Sequence, residues 1–497
     1  MMKVHLVCNA HLDPVWLWQR AEGMAEAVST FRVAAEFCET HESFVFCHNE
    51  AVLYEWVEEF EPALFERIRQ LVRAGRWHIA GGWYLQPDCN LTSGESLIRQ
   101  WRRGRDYFRR KFGVFPETAI NFDPFGHSAG LVQILARCGF RNYLFGRPLR
   151  SELPLPGETF RWSGYAGSEV IASRLFDNYQ SLRGEALNKL KKLLAERSGD
   201  AVALLPWGIG DHGGGPSRAD LEALDAFRSV ASCTIIHSTP DAFFAELDHA
   251  ALPVYSGDLN PTFVGCYTSQ LRIKQRHRRL ENRLKLAETL ALHAFCRLGR
   301  SWPETTLRTA ADDLLFTEFH DILPGSQSAP AEADSLRQLD HGLEELDLLT
   351  LKTWFALLRS EAPAKGAELP VFVFNPHPWP VRRIVDLELQ LADQNWTDDG
   401  FTPVKMFDRG RELPVQIEQE ASNLNLDWRK RAVFAVELPP LAVKRLSALT
   451  QPPEIRPRRP MARTRRFGNA AMELEFNRRT GALKRWAVNG RNLLGRD

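Results

Sequence analysis

Nowhere in the 497 residues is there an uninterrupted apolar run of the ~18–20 residues that a membrane-spanning helix needs. Net charge is nearly absent as well, because 63 Lys and Arg stand against 62 Asp and Glu and leave +1. That balance removes the global electrostatic case for a nucleic-acid binder or for a protein held on an anionic membrane. Cysteine is unpatterned. The eight, from Cys8 to Cys296, include no CxxC pair, so they read as reduced thiols and not as a disulfide framework. The opening run Val4–Cys8 reaches polar Asn9 and His11 too early for a signal peptide, and a cytoplasmic location is expected. What is present, 44% hydrophobic, 25% charged and 10% aromatic residues, is the composition of a globular chain. At roughly 100–200 residues per domain, its length corresponds to two to four domains.

Up to about residue 240, short β-branched or apolar runs alternate with helical periodicity. Strands are expected at Val4–Cys8, Phe44–His48, Trp77–Gly81, Thr118–Asp123, Tyr143–Gly146, Val170–Leu175, Ala201–Leu205 and Thr234–His237. Between them, Glu50–Val72, Gly94–Phe112 and Ser217–Val230 have helical spacing, the last with Ser217 where an N-cap belongs. This pattern predicts a mostly parallel α/β domain, open or barrel-like, over residues 1–255. Residues 256–362 lose the strand signal. Helices at Arg272–Cys296, Glu304–His320 and Glu332–Leu358 predict a three-helix bundle there. Alternation returns in 363–497, a β-rich region expected to be a partial sandwich, with a Pro/Arg-rich stretch at Pro452–Arg466.

Functional residues of a parallel sheet gather at the C-terminal ends of its strands. The first strand ends in Asn9-Ala10-His11-Leu12-Asp13-Pro14-Val15-Trp16, where His11 and Asp13, two apart in extended chain, point the same way. An imidazole and a carboxylate so placed can share a metal, or simply form a hydrogen-bonded strand-end pair. A second acidic strand end, Asn121-Phe122-Asp123-Pro124, puts Asp123 on the same rim unless it caps the helix starting near Ser128. His320 closes a helix of the bundle, as a dipole partner or as a ligand, and Asp321 beside it is placed to fix its tautomer. Gly208, Gly210 and Gly213 satisfy GxGxxG. However, the helix after them starts only near Ser217 and no ribose-binding acid follows, so the loop is read as a flexible carrier of Asp211. The basic helices Arg99–Arg110 and Arg272–Arg283 are read as solvated faces. Trp16, Trp83 and Phe125 offer a rim on which sugar C–H faces could pack. Two His and two Asp without cysteine suit Zn²⁺ or a similar divalent ion with an open position, and two acidic loops match the carboxylate pair of glycoside hydrolysis.

These motifs resemble the retaining α-mannosidases of glycoside hydrolase family 38. The matching pieces occur in the family's order: His11-Leu12-Asp13-Pro14-Val15-Trp16, Gly81-Gly82-Trp83 with Pro87-Asp88, Asn121-Phe122-Asp123-Pro124-Phe125-Gly126-His127, Gly265-Cys266-Tyr267-Thr268-Ser269 and Phe319-His320-Asp321. The resemblance implies one divalent metal, most simply Zn²⁺, held by His11, Asp13, Asp123 and His320. It makes Asp123 the nucleophile that forms a covalent mannosyl-enzyme, and Asp211 the expected general acid/base. Trp16 and Phe125 would line the sugar subsite, with Arg147 supporting the carboxylates and Tyr267 shaping the pocket. The implied substrate is a terminal α-mannoside, as an oligosaccharide or a small mannosylated metabolite, with no nucleic acid or membrane as partner.

Family members run further, through a large C-terminal β region, and this sequence stops at Asp497 where that region begins. A truncated chain is therefore expected. Exposed sheet edges would make it dependent on a partner, whether a homo-oligomer or the missing C-terminal portion. Two other readings stay open at this stage: a metal-dependent sugar deacetylase or amidohydrolase, and a non-catalytic mannose-binding remnant.

Overall fold

The alternation read from the sequence is realised in a computed structural model that describes residues 2–165, 167–395, 400–418, 427–455 and 465–494. The chain divides into two compact units, Met1–Leu357 and Leu358–Asp497.

In the first unit ten strands run in chain order: β1 Lys3–Cys8, β2 Phe46–His48, β3 Trp77–Ile79, β4 Thr118–Asn121, β5 Asn142–Phe145, β6 Thr159–Ser163, β7 Glu169–Arg174, β8 Val202–Trp207, β9 Thr234–His237 and β10 Val254–Tyr255. They form two five-stranded sheets. One has the order β3-β2-β1-β8 with β9 also on β1, and all of its pairs are parallel. The other has the order β10-β6-β7-β5-β4 and is parallel except where β6 meets β7. Side chains alternate as strand geometry requires. Val4, Leu6 and Cys8 pack with the long helices, whereas Val7 joins Cys47, Ile120, Phe122, Leu144 and Leu204 in a cluster drawn from both sheets.

Three local differences from the sequence reading have plain causes. The expected helix over 50–72 is two, Ala51–Phe60 and Pro62–Arg73, because Pro62 pushes Glu61 out of helical conformation and itself suits a first helical turn. Strand β6 escaped notice because Phe160 and Trp162 alternate with Thr159, Arg161 and Ser163, leaving only two apolar residues in five. Trp83 is fully buried, and its Nε1 donates to Asn121 Oδ1 at 2.8 Å, so it is a core residue and not part of a sugar-binding rim.

Three helices follow the sheets: Leu271–Leu298, Glu304–Thr317 and Ala329–Arg359. Their basic residues do more than face solvent. Arg276 and Arg283 pair with Asp340 and Asp347 of the last helix, while Arg103 of Gly94–Phe112 reaches Glu55 and Asp312. No helix among the described residues is long and apolar enough to cross a membrane.

The second unit is antiparallel. Glu368–Phe374 pairs with Val443–Thr450, and Val381–Asn395 with Asp427–Leu438, around a core that includes Met406, Phe434 and Ala448. Met472–Phe476 and Leu483–Val488 form an antiparallel hairpin. Most of the Pro/Arg-rich stretch lies outside the described residues.

Candidate functional site

The site is assembled by strand pairing carried past the strand ends. Strand β1 runs beside β8 in register from Lys3↔Val202 to Cys8↔Trp207. The ladder then resumes beyond both: Asp211 N–H donates to His11 O at 2.7 Å and Asp13 N–H to Asp211 O at 2.9 Å. Gly208 makes this approach feasible, since a Cβ there would stand 2.1 Å from Asn9 O. Asp211 itself sits at φ +62, one of few non-glycine residues in that region.

His11, Asp13 and His320 are buried. His11 Nε2 lies 3.0 Å from Asp13 Oδ1, and His320 Nε2 lies 3.5 Å from the same oxygen and 3.9 Å from Asp123 Oδ2. The two imidazoles stack at 5.3 Å. Although they crowd together, His11 Nε2, Asp13 Oδ1 and His320 Nε2 have no hydrogen bond of acceptable geometry. Atoms that converge without bonding one another are placed as ligands around a common point, and buried polar atoms without partners are otherwise costly. Groupings of His11 with Asp123 and His320, and of Asp13 with His320 and Asp321, are compact enough to hold an ion. Burial alone would pull the His11 imidazolium down, but the Asp13 carboxylate beside it holds its pKa up at about 10. The donor set N₂O₂ fits a divalent transition metal.

Asp123, two residues past β4, accepts from Arg147 Nε. It caps no helix: Gly130–Arg137 has its first free amides taken by Ser128 Oγ and Asp258. Asp211 Oδ1 accepts from Tyr179 O–H at 2.9 Å and Oδ2 from Gln180 Nε2 at 2.8 Å. Asp123 and Asp211 face one cavity of about 560 Å³, walled also by Asp13, Trp16, Phe125, Arg147, Phe263 and Asp321. Tyr267 is not in that wall. Its hydroxyl meets Asn90 Nδ2 at 2.5 Å, while Phe263, Gly265 and Cys266 present the segment to the cavity.

One expected role is corrected. Asp321 does not set the tautomer of His320, because the His320 Nδ1 faces Gln86 O at 3.2 Å and Asp321 Oδ2 lies 4.0 Å from the opposite nitrogen. Asp321 belongs to the cavity wall, where burial and the nearby Asp13 charge push its carboxyl up to about 8. Tyr179 and Gln180 went unread in the sequence, yet they follow β7 as closely as the strand-end rule requires. His127 belongs to the support: its Nε2 lies 2.9 Å from Arg147 O and its Nδ1 2.8 Å from the Tyr143 hydroxyl.

Comparison with known proteins identifies the family. The glycosyl hydrolases family 38 N-terminal domain matches residues 1–264, more than half of the chain, and the alpha mannosidase middle domain matches 262–357. The chain belongs to glycosyl hydrolases family 38. It is 29% identical to alpha-mannosidase G of Dictyostelium discoideum over 345 residues, 67% of this chain and 31% of that one. It is also 29% identical to human alpha-mannosidase 2C1 over 331 residues, 65% of this chain and 32% of that one. The matched part thus spans about a third of the length of these two relatives. The crystal structure of an alpha-mannosidase from Enterococcus faecalis V583 shares the fold with a TM-score of 0.79 at 17% identity, over 98% of this chain and 61% of that one.

Proposed function

We propose that the chain carries the catalytic portion of a retaining, metal-dependent α-mannosidase acting on terminal α-mannosides. The observation that carries this reading is that Asp123 and Asp211 face one cavity while the partnerless atoms of His11, Asp13 and His320 converge beside it. Family membership and the mannosidase relatives supply the sugar.

His11, Asp13, Asp123 and His320 would hold the divalent ion, and Zn²⁺ suits their two nitrogens and two oxygens. An ion held there would supply Lewis-acid chemistry suited to the cis 2- and 3-hydroxyls of mannose, a pair that glucose presents trans. Asp123 attacks the anomeric carbon from one face while Asp211 gives a proton to the departing oxygen. The resulting mannosyl ester on Asp123 is then released by a water that Asp211 deprotonates, and two inversions give net retention. Arg147 fixes the orientation of Asp123 and offsets part of its charge. Trp16 and Phe125 offer apolar faces to the C–H side of the sugar. Hydrolysis of an aryl α-mannoside followed by proton NMR tests this reading. The α-anomer should appear first, whereas initial β-anomer or release of acetate from an acetylated sugar would contradict it.

A further inference from the structure

His127 closes the run that begins at Asn121 and has no part in the chemistry above, yet it is fully buried and both of its ring nitrogens have partners. Its place follows from how β4 and β5 end. The two strands are parallel neighbours up to Asn121↔Phe145, and one more rung forms past them, from Gly146 N–H to Phe122 O at 3.0 Å. The chains come so close there that a Cβ on Gly146 would stand 2.3 Å from Phe122 O. Beyond that rung, side chains join the two segments in both directions. Arg147 Nε donates to the Asp123 carboxylate, and the His127 ring meets Arg147 O with Nε2 at 2.9 Å. The main chain of His127 is itself fixed, because its N–H and its O pair with Leu259 O and Leu259 N–H at 3.0 and 2.8 Å.

Burial pushes the His127 pKa down to about 4, so the ring is neutral and has one donor and one acceptor. A carbonyl can only accept. Nε2 therefore carries the hydrogen given to Arg147 O, and Nδ1 accepts from Tyr143 O–H at 2.8 Å. Tyr143 lies on β5, the strand that delivers Arg147, so the ring is braced at both nitrogens by that one segment. We propose that His127 is a positioning residue for the nucleophile: by holding the Arg147 carbonyl it sets the direction in which the guanidinium leaves the backbone, and so the aim of Asp123. This rests on the reading of Asp123 as the nucleophile. The leverage is large, since a displacement of about 1 Å at a reacting group costs on the order of 10²-fold in rate.

The test reads the attack step alone: the rate at which a fluorinated mannosyl fluoride labels Asp123 in the zinc-loaded full chain, with the labelled peptide mapped by mass spectrometry. His127→Asn ends its amide near the place of Nδ1, short of Arg147 O. It should slow labelling at saturating probe roughly 10- to 100-fold, with the half-saturating concentration within about threefold of the parent's. His127→Gln carries an N–H donor out to the place of Nε2 and should recover most of that loss. With Arg147→Met there is no guanidinium left to aim, so adding His127→Asn should cost less than about threefold more. Labelling of His127→Asn at the parent's rate would overturn the proposal, as would equal losses in His127→Asn and His127→Gln, or an undiminished loss on top of Arg147→Met. A smaller labelled fraction at the parent's rate marks a purely structural role and overturns it as well. If His127→Asn does not fold, His127→Phe keeps the bulk of the ring without its donor and should be slowed to a similar extent; the parent's rate there overturns the proposal too. A parent chain that takes up no label, or takes it up on a carboxylate other than Asp123, would instead overturn the nucleophile reading itself.

Discussion

Asp123 and Asp211 both stand just beyond a strand of the same unit and face the same cavity, but they are held by opposite means. Asp123 follows β4 by two residues and is fixed by charge: Arg147 on one oxygen and the imidazole of His320 3.9 Å from the other. Asp211 follows β8 by four residues, on a glycine loop and at positive φ. Among the described residues no ion pair reaches it, and its oxygens take neutral donors from Tyr179 and Gln180. The difference suits their proposed tasks. A nucleophile that keeps one role gains from fixed charges and a rigid strand end, whereas a group that gives and then takes a proton is better served by neutral donors compatible with both states.

The contrast can be broken most sharply at Asp123. Asp123→Ala should lower kcat/KM by at least ~10⁴-fold on mannosides with good and poor leaving groups alike, since both need the attack. Stripping the metal comes next. Turnover should vanish with a chelator and return with Zn²⁺, and at a free ion concentration a thousandfold above Kd the bound form should be about 4 kcal/mol more stable, visible as a rise in Tm. Asp211→Ala should cost roughly 10²–10⁴-fold on a disaccharide and much less on an aryl mannoside whose leaving group needs no proton. Similar losses on both would remove Asp211 from the acid role.

The smallest effect concerns the platform under Asp211. Lys189 donates to the carbonyls of Asn178, Gln180 and Pro206, tying the Tyr179-Gln180 segment to β8. Burial pushes its amine down to about 7 from the ordinary 10.5. Between those values the unfolded chain binds a proton that the folded chain does not, so this group makes the fold more stable as pH rises through that window. Lys189→Met should flatten the rise in urea stability between about pH 7 and 10 and cost only a few-fold in kcat. An unchanged pH slope would show that Lys189 stays charged where it is buried.

Most strand positions of the first unit were legible because runs such as β1, β4 and β8 are short and apolar with polar, chemistry-bearing ends, and a parallel sheet collects such ends on one side. His11, Asp13 and Asp123 could be named for the same reason, whereas His320 follows a helix and its place in the ligand set came from the resemblance to family 38. What stayed hidden depended on contacts that local spacing does not encode. Gln86 lies between two recognisable pieces, and its bonds to Glu50 and Phe122 exist only once the helix after β2 is docked. Trp83 and Asp321 were misjudged because the sequence does not say which side of a turn faces the cavity. The resumption of pairing between His11 and Asp211 beyond the two strand ends is likewise a product of register, and it is what brings the Asp211 loop beside His11 and Asp13.

The central claim is that Asp123 forms a bond to the sugar beside the ion-binding cluster. The most direct test is to treat the zinc-loaded chain with a fluorinated mannosyl fluoride, which forms a glycosyl-enzyme faster than it releases it, and to map the labelled peptide by mass spectrometry. The account predicts a single fluorohexosyl adduct on Asp123 that does not form after chelation. A turned-over probe with no adduct, or an adduct on another carboxylate, would contradict it.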